Sequence, residues 1–420
     1  MAGGADERDE MLLTDTIGEL SPPPQDPARI NALVRAHARA AVVEALNPAL
    51  PVASREQLLG RETELRRMFT AINDLRGHVL VHGSRGAGKT SLARAFGDYA
   101  DDRGLLVIYL SCDGGRTSFA DLFRPYLDFL PPSSFARDEE ADARAAIAAL
   151  PAEFGPRALA GIFARVSGQR VVLIVDEFDR VTDPLVRTDI ATLVKALTDL
   201  RAPVHLLLVG IARDAQELVN GHASLRRHLT PVALRPFGAE SANRLLDDAE
   251  RSAGLIFDAD VRALITGLAA GSPYHLRLFA FSAAIAAVDR GEPVVTAALL
   301  GDALPDAFDN WAALNPVAAA LFDRLAAESP TQRRRLEALA LSALNADVLT
   351  VDALGRRLST IVPLGGHGAA AELIERLRPA LATIGEGGAF VFEDTLAPQF
   401  LLLACCLAER GNGTTERNAA

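Results

Sequence analysis

At 420 residues the chain has room for two or three domains with buried cores of their own. Hydrophobic residues at 49% and charged residues at 23% describe a globular protein. The net charge of −11 argues against nonspecific coating of nucleic acid or anionic membrane, while leaving a local basic face open. Cys112, Cys405 and Cys406 make neither a disulfide framework nor a zinc site, which fits a reducing cytoplasmic setting. The N-terminus is acidic and has no apolar segment of the signal-peptide kind. The longest apolar stretch, Phe400–Ala408, is far short of the ~20 residues that span a bilayer, so no membrane partner is expected.

Residues 1–27 are acidic, then Pro-rich, and are expected to be a disordered tail. An Ala/Arg-rich helix over 28–46 follows, ended by Asn47-Pro48, and 28–54 reads as this helix and a linker. Whether it packs on the main domain or serves a partner is open. The segment Leu59-Gly60-Arg61-Glu62-Thr63-Glu64-Leu65 starts another helix, with acids in its first turn. Next, the apolar run Val79–Val81 meets a loop holding Gly83, Gly86 and Gly88. Lys89, Thr90 and Ser91 then open a helix whose apolar side carries Leu92, Phe96 and Ala100. The pattern Gly83-x-x-x-x-Gly88-Lys89-Thr90 fits a phosphate-binding loop in its required strand–loop–helix context. Glycines let consecutive N–H groups turn toward phosphate oxygens, and the helix adds the positive end of its dipole. In this chemistry Lys89 places a compact charge on the phosphates and Thr90 gives its hydroxyl to Mg2+. Only Lys89 and Lys195 are lysine in a chain with 43 basic residues, so lysine is used sparingly here.

Four more strands are expected: Leu105–Leu110, Val171–Val175, Val204–Val209 and the short Val232–Leu234. Continuous apolar runs separated by helices predict a parallel sheet covered on both faces. The segment 113–165 is longer than one crossover helix needs and reads as a helical insertion suited to partner contacts. Val171–Val175 ends in Asp176 and Glu177. An Asp at that strand end can hold a Mg2+-bound water, and Glu177 can polarise the attacking water; Asp179 reads as a structural turn residue. From Gly238 onward strands are expected to stop, leaving helices at 239–253, 259–270 and 274–289. A last unit combines helices at 332–344, 351–358 and 369–377 with a hairpin turning at Gly385-Glu386-Gly387-Gly388, which suggests a winged helix.

Taken together, the segments around Gly60–Leu65, Gly83–Thr90, Val171–Phe178, His205–Arg213 and Gly271–Tyr274 resemble AAA+ ATPases of the origin-recognition-like group, and equally STAND ATPases. The resemblance implies an α/β P-loop NTPase fold with a five-stranded parallel sheet, a helical lid and a C-terminal winged helix. The nucleotide-binding domain would span 55–237, the lid 238–305 and the winged helix 306–410, with a disordered tail at 411–420. It implies ATP and Mg2+ as ligands, with Gly60 and Arg61 against the adenine and Gly83, Ser84, Arg85, Gly86, Ala87, Gly88, Lys89, Thr90 and Ser91 around the phosphates. Thr90 and Asp176 would hold the metal, with Glu177 and Lys89 catalytic. Arg213 stands where the family senses the γ-phosphate, yet reads equally as a surface arginine. Arg226 and Arg227 precede the fifth strand, where ring-forming relatives carry an arginine finger; otherwise they are a solvated pair. Pro273 matches the lid contact of STAND proteins, while Tyr274 stands where initiator ATPases place an arginine, leaving His275 or Arg277 as substitutes. Such relatives couple ATP turnover to lid movement, so a switch acting through self-assembly or a protein effector is expected. The alternative is association with duplex DNA through Arg333–Arg335, Arg356, Arg357, Arg376 and Arg378, diluted by Glu337, Glu372, Glu375, Glu393 and Asp394. A metabolic kinase is a weaker reading, because no second substrate pocket is apparent.

Overall fold

The computed structural model describes residues 27–48, 58, 60–84, 86–112, 118–211, 227–346, 348–361, 366–384, 388–394 and 396–417. Helix α1 (Pro27–Leu46) comes first, then α2 (Glu62–Phe69). Strand β1 (His78–Gly83) leads through the glycine loop into α3 (Lys89–Asp101) and β2 (Leu106–Ser111). Three helices follow, α4 (Phe119–Asp128), α5 (Glu140–Ala148) and α6 (Pro156–Phe163). Next come β3 (Val171–Asp176), α7 (Pro184–Asp199), β4 (Val204–Ile211) and β5 (Leu229–Ala233). Local chemistry sets these boundaries. Ser118 and Asp121 form a capping box on α4, and Asp183 caps α7 ahead of Pro184 in its first turn.

The five strands form one parallel sheet, as the sequence predicts, and their order is β2-β3-β4-β1-β5. Alternation divides its buried side chains. Leu80, Leu173, Leu206 and Leu208 pack with α4, α6 and α7, while Val79, Val81, Val172, Ile174, Leu207 and Val209 pack with α2 and α3. Phe123, Tyr126 and Phe163 of the segment read as an insertion are fully buried in the first of these cores. That segment is therefore a structural cover of the sheet, because its aromatic residues fill the space between α7 and the strands.

The chain continues through α8 (Ala239–Ala253), β6 (Ile256–Phe257), α9 (Ala259–Ala269), α10 (Pro273–Arg290), β7 (Val294–Val295) and α11 (Ala297–Leu314). Strands do not stop at Gly238: β6 and β7 pair in parallel, two residues each, too short to leave a periodic signal. After α12 (Pro316–Ala327) come α13 (Pro330–Ala346), β8 (Leu349–Thr350), α14 (Val351–Ile361) and α15 (His367–Arg376). Strands β9 (Leu381–Ile384) and β10 (Ala389–Phe392) then form an antiparallel hairpin, and the sheet order is β8-β10-β9. The hairpin turn at 385–387 lies outside the described residues. Helix α16 (Ala397–Arg417) is helical into the stretch expected to be a disordered tail.

One hydrophobic core runs through α8 to α16 and takes in Val42 and Leu46 of α1. The lid and the C-terminal elements are thus built around shared side chains, and α1 packs on α8 and α10 rather than on the large sheet. Among the described residues no helix is long and apolar enough to cross a membrane. The arginines proposed for duplex contacts are partly spent inside this unit. Arg333 is buried and donates to the Ala326 carbonyl, because the helical period turns it inward; Arg376 pairs with Glu328, and Arg378 lies over the Phe390 ring.

Three of the buried histidines, His78, His205 and His275, make the fold sensitive to acid. Nδ1 of His78 accepts the Leu206 N–H at 2.9 Å and so must carry no proton there. Burial, then the nearby His205 and His228, pushes His78 from 6.5 down to about 3. Burial likewise takes His205 to about 4 and His275 to about 3. The unfolded chain binds protons on these rings below pH 6.5, whereas the folded chain resists until pH 4 to 3. Stability held above that range is therefore lost as pH falls, by up to about 1.4 kcal/mol per pH unit for each ring. Urea midpoints should drop between neutral pH and about pH 5, and His275→Phe should flatten the drop.

Candidate nucleotide site

The carboxyl ends of β1, β3 and β4 and the first turns of α3 and α10 enclose a cleft of about 440 Å3. Gly86 and Gly88 have φ of 77° and 88°, left-handed values that bend the loop back toward the start of α3. A side chain at Gly86 would meet Ser272 Oγ at 3.2 Å and Leu396 Cδ2 at 3.3 Å, so lid and C-terminal unit both reach the loop. Lys89 is buried at 9% exposure, and its Nζ donates to the Ser84 carbonyl at 2.8 Å. Thr90 and Ser91 line the cleft beside it.

Asp176, 4% exposed, has a donor on each oxygen: the Glu177 N–H on Oδ1 at 2.8 Å and the Tyr109 hydroxyl on Oδ2. Glu177 has φ 55°, and its carboxylate accepts from Ser111 Oγ at 3.0 Å and pairs with Arg180 at 3.1 Å. Asp179 does not bond within its own turn. Its Oδ1 accepts the Ile211 N–H at 2.8 Å and ties the end of β3 to that of β4.

Helix α10 supplies the opposite wall. Ser272 caps it and Pro273 occupies its first turn. Pro273, Tyr274 and Arg277 line the cleft, whereas His275 is fully buried among Ser272, Phe279 and Phe400. Of the two candidates to replace an arginine at 274, the structure brings Arg277 to the site and turns His275 away. Burial lowers the pKa of the Arg277 guanidinium, and its Nε is buried with no hydrogen-bond partner among the described residues. A buried guanidinium nitrogen without a partner is costly, and an anion in the cleft would satisfy it. With a loop cradle, a lysine, a hydroxyl at Thr90 and a carboxylate at Asp176, the donor set fits a nucleotide phosphate chain with Mg2+. Among the described residues no cluster of three His, Cys, Asp or Glu offers a phosphate-independent metal site.

Arg85, Arg213 and Arg226 lie outside the described residues. Arg227 is exposed just before β5, whose first residue Leu229 pairs with His78. That is the far end of β1 from the loop, roughly 17 Å away at strand rise, so Arg227 serves no role in its own chain's cleft. Pro48, Tyr109, Ser111, Arg180 and Leu396 surround the site without having been singled out from sequence. Register of β2 against β3 would have exposed Tyr109 and Ser111, but pairing partners are not written in one strand's own pattern.

Residues 57–209 match the model of the AAA ATPase domain. That match covers less than half of the chain, and it makes the segment around the large sheet similar to AAA ATPase domains. Solved structures with a similar fold include the Orc1 protein of Aeropyrum pernix in complex with DNA, 17% identical over 89% of this chain and 97% of that one, TM-score 0.44. The Cdc6 protein of Pyrobaculum aerophilum is 14% identical over 88% and 98%, TM-score 0.46. The RuvB branch migration motor of Thermotoga maritima is 14% identical over 82% and 96%, TM-score 0.40. No curated protein matches the chain.

Gly60 and Arg61 lie where the large sheet meets α8. Gly60, φ 67°, sits so close to α8 that a Cβ there would fall 2.3 Å from Ser241 Oγ. Arg61, 5% exposed, donates to the Arg235 carbonyl at 2.7 Å and the Ala87 carbonyl at 3.3 Å. It also pairs with Glu64 at 3.1 Å and lies over the Phe237 ring. It acts as a strut between phosphate loop and hinge. Arg61→Met should lower the unfolding free energy by on the order of 2–3 kcal/mol, since two carbonyls and a carboxylate lose their donor. Denaturant titration of both proteins checks this.

Proposed function

We propose that ATP bound and hydrolysed in this cleft moves the lid and C-terminal unit as one body, switching self-assembly or the capture of a protein effector. One observation carries the reading: α10 presents Arg277 to the cleft while its own buried face belongs to the core shared with α11 to α16. Backbone N–H groups of the loop and the start of α3 bind the phosphates, and Lys89 adds a point charge. Thr90 and, through water, Asp176 would hold Mg2+, which supplies charge neutralisation on the phosphates when bound. Glu177 orients the attacking water and takes its proton once Ser111 and Arg180 release it. Arg277 reaches for the terminal phosphate, so its side chain reports on hydrolysis to the lid. Arg227, and Arg226 with it, would act on a neighbouring copy, which makes the active form a homo-oligomer.

Helices α13 to α15 with the β8-β10-β9 sheet are read as a winged helix. The exposed residues of α15 are His367, which pairs with Asp352, then Gly368, Ala371, Glu372 and Glu375, and the inward turn of Arg333 removes a cation. Charge of that sign favours a protein partner over duplex phosphates.

Trp311 is the chain's single tryptophan and stands at the joint: it stacks on Phe400 at 4.6 Å and donates to Asp394 at 2.8 Å. Its emission should change when ATP is added to wild type. Lys89→Ala should bind no ATP by calorimetry. Glu177→Gln should keep affinity, lose hydrolysis by about 100-fold or more, and accumulate the ATP-dependent assembly in light scattering. An unchanged monomer with unchanged Trp311 emission in every nucleotide state would defeat the switch.

A further inference from the structure

Strand β2 is the edge of the sheet and pairs only with β3. In that register Tyr109 stands opposite Ile174 and Ser111 opposite Asp176, which puts Tyr109 and Asp176 on the face covered by α3. The Tyr109 hydroxyl donates to Asp176 Oδ2 while the Glu177 N–H holds Oδ1. A carboxylate has about four lone-pair directions; with one donor fixed on each oxygen, its plane is set and the remaining directions have a definite aim. The phenol is itself held. Arg94 lies one helical turn beyond Thr90 on α3, with its guanidinium over the Tyr109 ring at 5.5 Å from the centroid. A line of contacts, Arg94 to Tyr109 to Asp176, therefore braces the strand tip against the helix that carries the Thr90 hydroxyl.

We propose that Tyr109 is a positioning residue for the Mg2+–nucleotide complex, orienting Asp176 so that its free lone pairs face the metal held at Thr90. The inference rests on the nucleotide reading of the cleft. Partners that orient a metal-side group by hydrogen bonding typically change metal affinity by 10–100-fold when removed. A phenol that only satisfied a buried carboxylate would affect stability and leave metal dependence alone.

Tyr109→Phe keeps the ring and removes the donor. The experiment titrates Mg2+ into protein with fluorescent ATP analogue, and follows Mn2+ binding by electron paramagnetic resonance, in wild type, Tyr109→Phe and Arg94→Met. The expected result is a rise of about 10-fold in the half-saturating Mg2+ and Mn2+ concentrations for Tyr109→Phe, with nucleotide affinity in excess chelator near that of wild type. Arg94→Met, which frees the ring without touching the carboxylate, should shift metal dependence the same way by a smaller factor. Wild-type metal dependence in Tyr109→Phe overturns the proposal, as does an equal loss of affinity with and without metal. A wild-type protein whose nucleotide binding ignores Mg2+ overturns the reading of the cleft, and this inference with it.

Discussion

The parallel register of β1, β4 and β3 is the constraint on which the cleft depends. Gly83 pairs with Ile211 and Val175 with Leu208, so β1 and β4 end level and β3 ends two residues earlier beside them. Residues far apart in the chain thereby leave the sheet at one edge: Gly83 into the loop, Asp176 into its acid turn, Ile211 beside both. Side chains with little reach can then meet. Asp179 closes this edge by accepting the Ile211 N–H, which pins the turn carrying Glu177 to the neighbouring strand. A slip of one residue in the pairing of β3 would turn Asp176 to the opposite face and separate it from α3.

The second constraint is that the wall facing those strand ends belongs to a different core. Pro273 and Tyr274 touch the glycine loop, and one residue later His275 is sunk against Phe400, which stacks on Trp311. Phe322 stacks on the other part of that indole at 5.6 Å. Packed interiors of this density do not deform continuously; they shift between discrete arrangements. A change in how α10 sits on the loop must therefore be taken up by α11, α12 and α16 together. Leu396, at the head of α16, already stands against Gly86, so the loop meets the C-terminal unit directly as well as through the lid.

Much of this was legible in the sequence because it depends on local pattern. Buried parallel strands give unbroken apolar runs, and Val171–Val175 and Val204–Val209 announce themselves that way. The glycine loop is legible for the same reason: its pattern is a fixed order of residues within one short segment. What escaped depends on packing between distant segments. The aromatic residues of α4 and α6 look like a loose insertion until the sheet face they cover is known. Arg333–Arg335 looks like a charged run, yet helical geometry turns Arg333 inward. The role of Arg61 as a strut needs the Ala87 and Arg235 carbonyls, one in the loop and the other at the hinge, to be brought to one point.

The position of Arg277 follows from the close approach of α10 to the loop. The first turn of α10 packs on the loop. A Cβ at Gly86 would already lie 3.5 Å from Tyr274 Cβ, and one at Gly88 would lie 4.0 Å from Pro273. A long guanidinium starting there would have to fold back over the glycines it serves. One turn further along, at i+3 from Tyr274, the helix shows the same face to the cleft but stands clear of the loop. Arg277 can extend from that point into the open volume, with its stem covered and its Nε left without a protein partner. The tight contact at 274 and the charge at 277 are thus two consequences of one helix being seated on glycine.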